Sequence, residues 1–436
     1  MKTFLLISIL AQTQTLTVHE TVKIALMKHP AIQFAEATAA RGEHMVSELS
    51  ATRRPQLTLE SSLTQFEEPM IVAPLHRLDP REVPVFDNTL GQGSLSLGYT
   101  LFDASRGDRI ARARAIADAA DVQTIGIQAQ TIAETVRAYL RVRSTNLVYT
   151  AQAKRLNALQ RERERAAQLV QQGRAARVVL LRAEAALSAA RADAVTAQSE
   201  MDVARQELAR LLEVSVATIN AATLTDVRER DDAVFERDAV LAEATQHNED
   251  LRRLRLQREA AVSERNAAKG MRWPRLQLGV RLIEYASSAT SPQGEWQTGA
   301  QLNYPIYTGG ARSAAIDRAA ADVRAADAEI ALGERRVAEA IDRALTVLNA
   351  ARSRVAALDA AVMQSEEVTR IDQLALQAGA GVQTDYLIAE ADLFRARAAL
   401  ADARAAAIMA LLELARVRGQ LTQEWLTVHL EAVYER

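Results

Sequence analysis

One carboxylate and two guanidinium groups sit beside the glycine breaks that interrupt two very long helical patterns. Asp385 follows Gly379-Ala380-Gly381-Val382-Gln383-Thr384, and Arg174 and Arg177 follow Gly173. An aspartate in the first turn of a helix is favoured by the helix dipole, with Thr384 or Gln383 available near the cap. The same carboxylate, gathered with others, would attract cations and resist full ionisation. Arg174 or Arg177 could pair with a carboxylate on a neighbouring tip. An exposed pair is worth only ~0–1 kcal/mol, so such a contact needs a network or packing behind it.

Other chemistry has little to work with. Cysteine is absent from the 436 residues, which removes disulfides, thiolate metal sites and lipidation through an N-terminal cysteine. The histidines (His19, His29, His44, His76, His247 and His429) are scattered without a ligand spacing. There is no G-x-S-x-G, no P-loop, no dinucleotide fingerprint and no Glu-x-x-His pair for a metal in a helical bundle. Gly91-Gln92-Gly93 and Gly379-Ala380-Gly381 read as turn material. The expectation is no catalytic centre, no metal site and no cofactor. With 53 basic and 55 acidic residues interspersed, a nucleic-acid partner is not expected either.

The elements that position these groups are long. Helical periodicity runs from about Ala311 to the break at 379–384 and on to about Arg418, with an earlier counterpart from about Ser105 through a turn at 173–177 to Val214. At 1.5 Å per residue the longer arms reach on the order of 100 Å. Aromatics are only 4% of the chain, and Ala, Arg, Glu, Gln and Leu fill the helices, a composition of long helices rather than compact globules. Before each long hairpin come two shorter helices and two strands. Thr17 and Glu20 form a capping-box pattern, Pro30 interrupts, and a second helix runs from about Ala31 to Ala51. Alternation predicts strands at about 56–66 and 93–102 around a long loop at 67–91, and again at about 275–286 and 296–307. Trp273, Trp296, Tyr99, Tyr285, Tyr304 and Tyr307 lie in or beside them.

The pattern occurs twice. Pro55 recurs as Pro274, Ile32 as Leu251 and Val22 as Leu241, each 219 residues on. Gly173 recurs as Gly379 and Glu207-Leu208-Ala209-Arg210 as Glu413-Leu414-Ala415-Arg416, each 206 residues on. The expected organisation is a first repeat at 16–214, a connection at 215–237, a second repeat at 238–420 and a tail at 421–436. The apolar run Phe4–Ala11 after Lys2 reads as a signal peptide within residues 1–15.

Each repeat lacks partners for its own surfaces. Strands of about ten residues suit a tilted bilayer crossing. Four strands do not close a barrel, and an open edge in lipid leaves backbone groups unpaired at several kcal/mol each. A lone helical hairpin buries one stripe and leaves its flanks exposed. Both deficits ask for several chains. The alternative is a soluble coiled-coil scaffold, which has no use for two duplicated strand pairs.

From Leu16 to about Gln420 the chain resembles the TolC-like outer-membrane efflux proteins. The resemblance rests on the opening Leu16-Thr17-Val18-His19-Glu20-Thr21-Val22 with His29-Pro30, on Tyr99-Thr100-Leu101-Phe102-Asp103 and Tyr304-Pro305-Ile306-Tyr307-Thr308-Gly309-Gly310, and on the Gly173 and Gly379 breaks. It implies a mainly α chain with a small transmembrane β part, assembling as a homotrimer with a twelve-stranded β-barrel in the outer membrane and an α-helical tunnel in the periplasm. It implies a passive exit duct for efflux or type I secretion. Its partners would be a periplasmic adaptor (membrane fusion) protein, an inner-membrane pump of RND, ABC or MFS type, and outer-membrane lipid. Asp385 matches an aspartate that rings the periplasmic aperture in such proteins, and Val179 takes its place in the first repeat. Where relatives can carry a second aspartate one turn on, this chain has Ile388, an apolar constriction instead. Gly173, Gly379, Gly381 and Thr384 fall at the hairpin tips where an adaptor would dock; the glycines also simply turn the chain.

Overall fold

The computed structural model describes residues 15–71, 86–230, 233–288, 292–378 and 380–433. Residues 1–14 of the expected signal peptide, and Gly379, lie outside them. In chain order the first elements are β1 (Thr15–Leu16), α1 (Val18–Lys28), α2 (Pro30–Ala51), β2 (Gln56–Ile71), β3 (Phe86–Phe102), α3 (Arg106–Gln171) and α4 (Arg177–Leu211). Then come α5 (Val216–Ala221), β4 (Thr223–Leu224) and β5 (Asp226–Glu229). The order repeats with α6 (Arg237–His247), α7 (Glu249–Gly270), β6 (Arg275–Ala286), β7 (Gln293–Asn303), α8 (Ala311–Gln377) and α9 (Gln383–Val417). Beyond these lie α10 (Gln423–His429) and β8 (Leu430–Val433). No helix among the described residues is long and apolar enough to cross a membrane.

The chain divides into two compact units. The unit made of residues 37–121 and 253–331 holds an antiparallel sheet in the order β2-β3-β6-β7. Its first hairpin is longer than the alternation suggested. β2 continues past 66 to Ile71 and β3 starts at Phe86, so residues 67–71 and 86–91 of the expected loop are strand, and residues 72–85 lie outside the described ones. Pro69 is accommodated because β2 is an edge strand and its register shifts between Gln65 and Met70. In the second hairpin, β7 spans Gln293–Asn303 instead of 296–307, since Pro305 lacks the N–H that would extend the ladder.

Helices of this unit pack through small residues. A Cβ on Gly42 would lie 3.1 Å from the Ala117 backbone, and one on Gly270 would lie 2.8 Å from the Ser105 backbone. Ala268 of α7 buries against Ile316 and Ala319 of α8. The strand-to-helix corner after β3 is pinned by Asp103. Its carboxylate accepts from the Ser105 backbone (3.0 Å) and hydroxyl (2.7 Å) and pairs with Arg109 (2.6 Å) and Arg275 (3.2 Å).

The second unit comprises residues up to 36, 122–252 and 332 onward. α1 begins with the capping box: the Glu20 N–H donates to Thr17 Oγ1 (3.2 Å), and the Thr17 N–H donates to the Glu20 carboxylate (3.0 Å). Ala25, Ala138, Val142, Ala204, Leu208 and Leu212 form its main core. Tyr139 is fully buried there, its hydroxyl 2.8 Å from the Leu16 carbonyl and 2.9 Å from that of Thr225. Burial pushes this phenol up to about 12.

The connection between the repeats and the tail both contribute strands among the described residues. In the 215–237 connection, β4 pairs in parallel with β1, and β5 pairs antiparallel with β8 of the 421–436 tail. Near the C-terminus of α9, Asn248 donates to the Val417 carbonyl (2.8 Å) and Arg418 donates to Glu243 (2.5 Å). Gly419 there has φ +71°, and a Cβ would meet the His247 carbonyl oxygen at 2.2 Å.

Replacing Gly419 with Ala is therefore expected to cost roughly 2–5 kcal/mol, from left-handed strain and overpacking together, read as a lowered urea midpoint. Burial raises the pKa of Asp103, but the Ser105 hydrogen bonds and the Arg109 and Arg275 charges outweigh it, leaving it below the ordinary 3.8. Its contribution is present above that value and lost as pH falls through the lowered one. Asp103→Asn is expected to cost roughly 2–3 kcal/mol at neutral pH. The gap to the parent should narrow as urea midpoints are followed to pH values below the ordinary 3.8.

Candidate functional site

The strand alternation sorts the sheet into two chemically opposite faces. Cross-strand rows read Leu57–Leu97–Val280–Thr298, Leu59–Leu95–Leu282–Trp296 and Tyr99–Leu278–Ala300 on one face. The rows between them read Thr58–Ser96–Arg281–Gln297 and Glu60–Ser94–Ile283–Glu295. The apolar face has no cover in the chain: Leu59 is 76% and Trp296 70% exposed. The polar face is concave. It bounds a cavity of about 710 Å³ lined by Arg275, Gln277, Arg281, Gln297 and Gln301 together with Arg106 and Arg109. β2 and β7 each have a neighbour on one side only. An exposed apolar face, a polar hollow and two open edges are the parts of a barrel wall awaiting closure.

The helical hairpins carry the second group of candidate residues. Gly173 ends α3 with φ +68°, and the Arg174 N–H reaches back to the Leu169 carbonyl (2.8 Å), a left-handed stop that only glycine takes up without strain. At the other tip the Ala380 and Gly381 N–H groups both donate to the Ala375 carbonyl (2.9 Å each). A Cβ on Gly381 would sit 2.9 Å from the Leu376 nitrogen, so close backbone approach requires glycine there. Both tips turn tightly.

Asp385 is exposed in the first turn of α9, and its N–H donates to the Val382 carbonyl (3.1 Å). The N-cap is Val382, which makes no side-chain cap bond. Thr384 is exposed, as is Ile388 three residues beyond Asp385. Arg174 and Arg177 are exposed as well, and neither makes an ion pair among the described residues. No group of three or more His, Asp or Glu among the described residues could hold a metal ion.

The hairpin arms are tied across by charge. Arg155 pairs with Asp193 (2.8 Å) and Arg163 with Glu184 (3.3 Å) in the first; Arg397 pairs with Glu366 (2.8 Å) and Arg404 with Asp359 (2.9 Å) in the second. The hairpins meet where Ser144 donates to Asp402 (2.5 Å) and Lys154 lies over the Phe394 ring. The tips also expose apolar side chains, which the sequence reading missed: Val178, Val179, Leu181 and Val382. The signal was present in Val178-Val179-Leu180-Leu181. At 100° per residue four consecutive apolar positions cannot all face one seam.

A family model described as outer membrane efflux protein matches residues 21–213 and 240–420. Outer membrane protein TolC of Escherichia coli is 23% identical over 358 residues, 79% of this chain and 72% of its own length. VceC, an outer membrane protein of Vibrio cholerae, superposes with a TM-score of 0.70 at 18% identity, over 92% of this chain and 96% of VceC. The CmeC outer membrane channel of Campylobacter jejuni gives 0.78 at 14% identity, over 93% of this chain and 86% of CmeC.

The two sheet faces should respond oppositely to charge. Leu282→Arg, in an apolar row, is expected to destabilise bilayer insertion by about 2–4 kcal/mol, whereas Ser62→Arg on the polar side should be tolerated. Partition into lipid vesicles by flotation measures both.

Proposed function

The chain belongs to the outer membrane efflux protein family and is an exit channel of the outer membrane reaching into the periplasm; from that premise we propose how it assembles and closes. Three copies pool four strands each, the β7 edge of one pairing with the β2 edge of the next, into a barrel with the polar hollow inside. The exposed apolar face, in register across all four strands, carries this reading. Cargo passes from an inner-membrane pump through a periplasmic adaptor into the duct. The chain's part is to enclose a path. The exposed valines and leucines of the tips are the surface the adaptor covers.

The aperture residues act between chains. Three Asp385 carboxylates around the axis form an acidic, cation-attracting ring, with Ile388 narrowing the passage one turn deeper. Arg174 and Arg177, without an ion pair among the described residues, face carboxylates of neighbouring tips and help hold the mouth shut. Single-channel recording of Asp385→Ala and Arg177→Ala tests this. The first variant is expected to lose block by divalent cations, and the second to open more often. Unchanged conductance and unchanged block in both would refute the aperture.

A further inference from the structure

The two turns that lead into the strand hairpins are the same turn. The Arg53 and Arg54 N–H groups donate to the Ser50 and Ala51 carbonyls (3.0 and 2.9 Å). Exactly the equivalent groups 219 residues on, in Arg272 and Trp273, donate to Lys269 and Gly270 (3.1 Å each). Arg53 and Arg272 thus occupy equivalent places in the two repeats. Both are exposed, and neither has an ion-pair partner among the described residues. The other arginines near them are engaged or turned inward: Arg275 pairs with Asp103, Arg106 donates to the Thr52 and Thr100 carbonyls, and Arg54 lines the polar hollow. Arg53 and Arg272 do not line that hollow.

Their level on the sheet is distinctive. All four strands join a helix at this end, so it is the periplasmic end of the sheet in the channel reading on which this inference rests. Exposed apolar and aromatic side chains cluster at the same level: Phe102, Trp273, Tyr304 and Tyr307, the last 87% exposed. The opposite strand ends carry Glu67, Glu68, Asp87, Glu284 and Glu295, with no Lys or Arg in described residues 64–71, 86–92, 282–288 or 292–296. A row of aromatics beside free guanidinium groups, at the edge of a lipid-facing wall, matches the phosphate level of a bilayer. Arginine suits that site because its planar fork gives two parallel hydrogen bonds to phosphate oxygens.

We propose that Arg53 and Arg272, with Trp273, Tyr304 and Tyr307, form a belt that binds the headgroup phosphates of anionic glycerophospholipids in the periplasm-facing leaflet. The two turns supply two such contacts per chain, one from each repeat. The belt fixes the depth of the barrel and gathers acidic phospholipid around it.

The assembled protein is placed in vesicles of phosphatidylethanolamine with or without phosphatidylglycerol, and retained lipid is counted by native mass spectrometry. Arg53→Gln, Arg272→Gln and the double variant are compared with Arg335→Gln, the same charge change at an exposed position on α8. The parent and Arg335→Gln should retain phosphatidylglycerol preferentially, with the preference falling about fivefold for each of Arg53 and Arg272 removed. A parent without preference, or a double variant that keeps it, overturns the belt. So does lipid A retained in its place with the same arginine dependence. Flotation separates the two levels of the argument: a chain that floats but shows no preference overturns the belt alone. A chain that enters neither vesicle overturns the channel reading and the belt with it.

Discussion

Unpaired backbone at two strand edges governs this molecule. β2 and β7 each present a row of N–H and C=O groups with no strand neighbour among the described residues, at the rim of a sheet whose one face is rich in leucine, valine and tryptophan. In water that face would drive aggregation; in lipid those edges are intolerable, since hydrocarbon offers no hydrogen bond. Only closure satisfies both demands. The hollow on the polar side sets the sense of curvature, and the short strand count makes closure a task for several copies.

The helices meet a related demand by other means. Close approach through Gly42 and Ala117, and through Gly270 and the Ser105 backbone, lets helices of the strand-bearing unit come together without large side chains between them. In the other unit the arms of each hairpin combine a thin apolar seam, such as Val362 with Leu393 and Leu400, with cross-arm ion pairs at half-exposed positions. Exposed pairs of this kind contribute ~0–1 kcal/mol each. The seam therefore holds each hairpin, and the charges mainly set which arm faces which.

Much of this was legible because it is periodic and local. Leu57, Leu59 and Leu63 alternate, Pro55 returns as Pro274, and Thr17 with Glu20 spells a helix start that the structure makes. What escaped was nonlocal or locally contradictory. Pro69 reads as a strand breaker, and only its place on an edge with a shifted register makes it harmless. β5 and β8 are four residues each and about 200 positions apart, too short for alternation to reveal and too distant for any local rule to pair. At the second tip backbone bonds to Ala375 set the turn and place Val382 at the cap, with Gln383 and Thr384 beside it and Asp385 in the first turn. Arg174 and Arg177 make no ion pair among the described residues, so no local rule places them.

That contrast has a mechanical consequence. Strand pairing in lipid is enforced at several kcal/mol for every backbone group left open, so the barrel has no alternative state worth populating. The tips are turned by local backbone bonds, Arg174 to Leu169 and Ala380 and Gly381 to Ala375. Shifting any two-state element from almost wholly one state to almost wholly the other requires about 5.5 kcal/mol of differential binding. Val178, Val179, Leu181 and Val382 are 41–60% exposed, so covering each is worth less than the roughly 1.5–3 kcal/mol of burying a fully exposed side chain. Sheet and hairpins are thus held by interactions of very different strength, backbone hydrogen bonds in hydrocarbon and side-chain contacts in water.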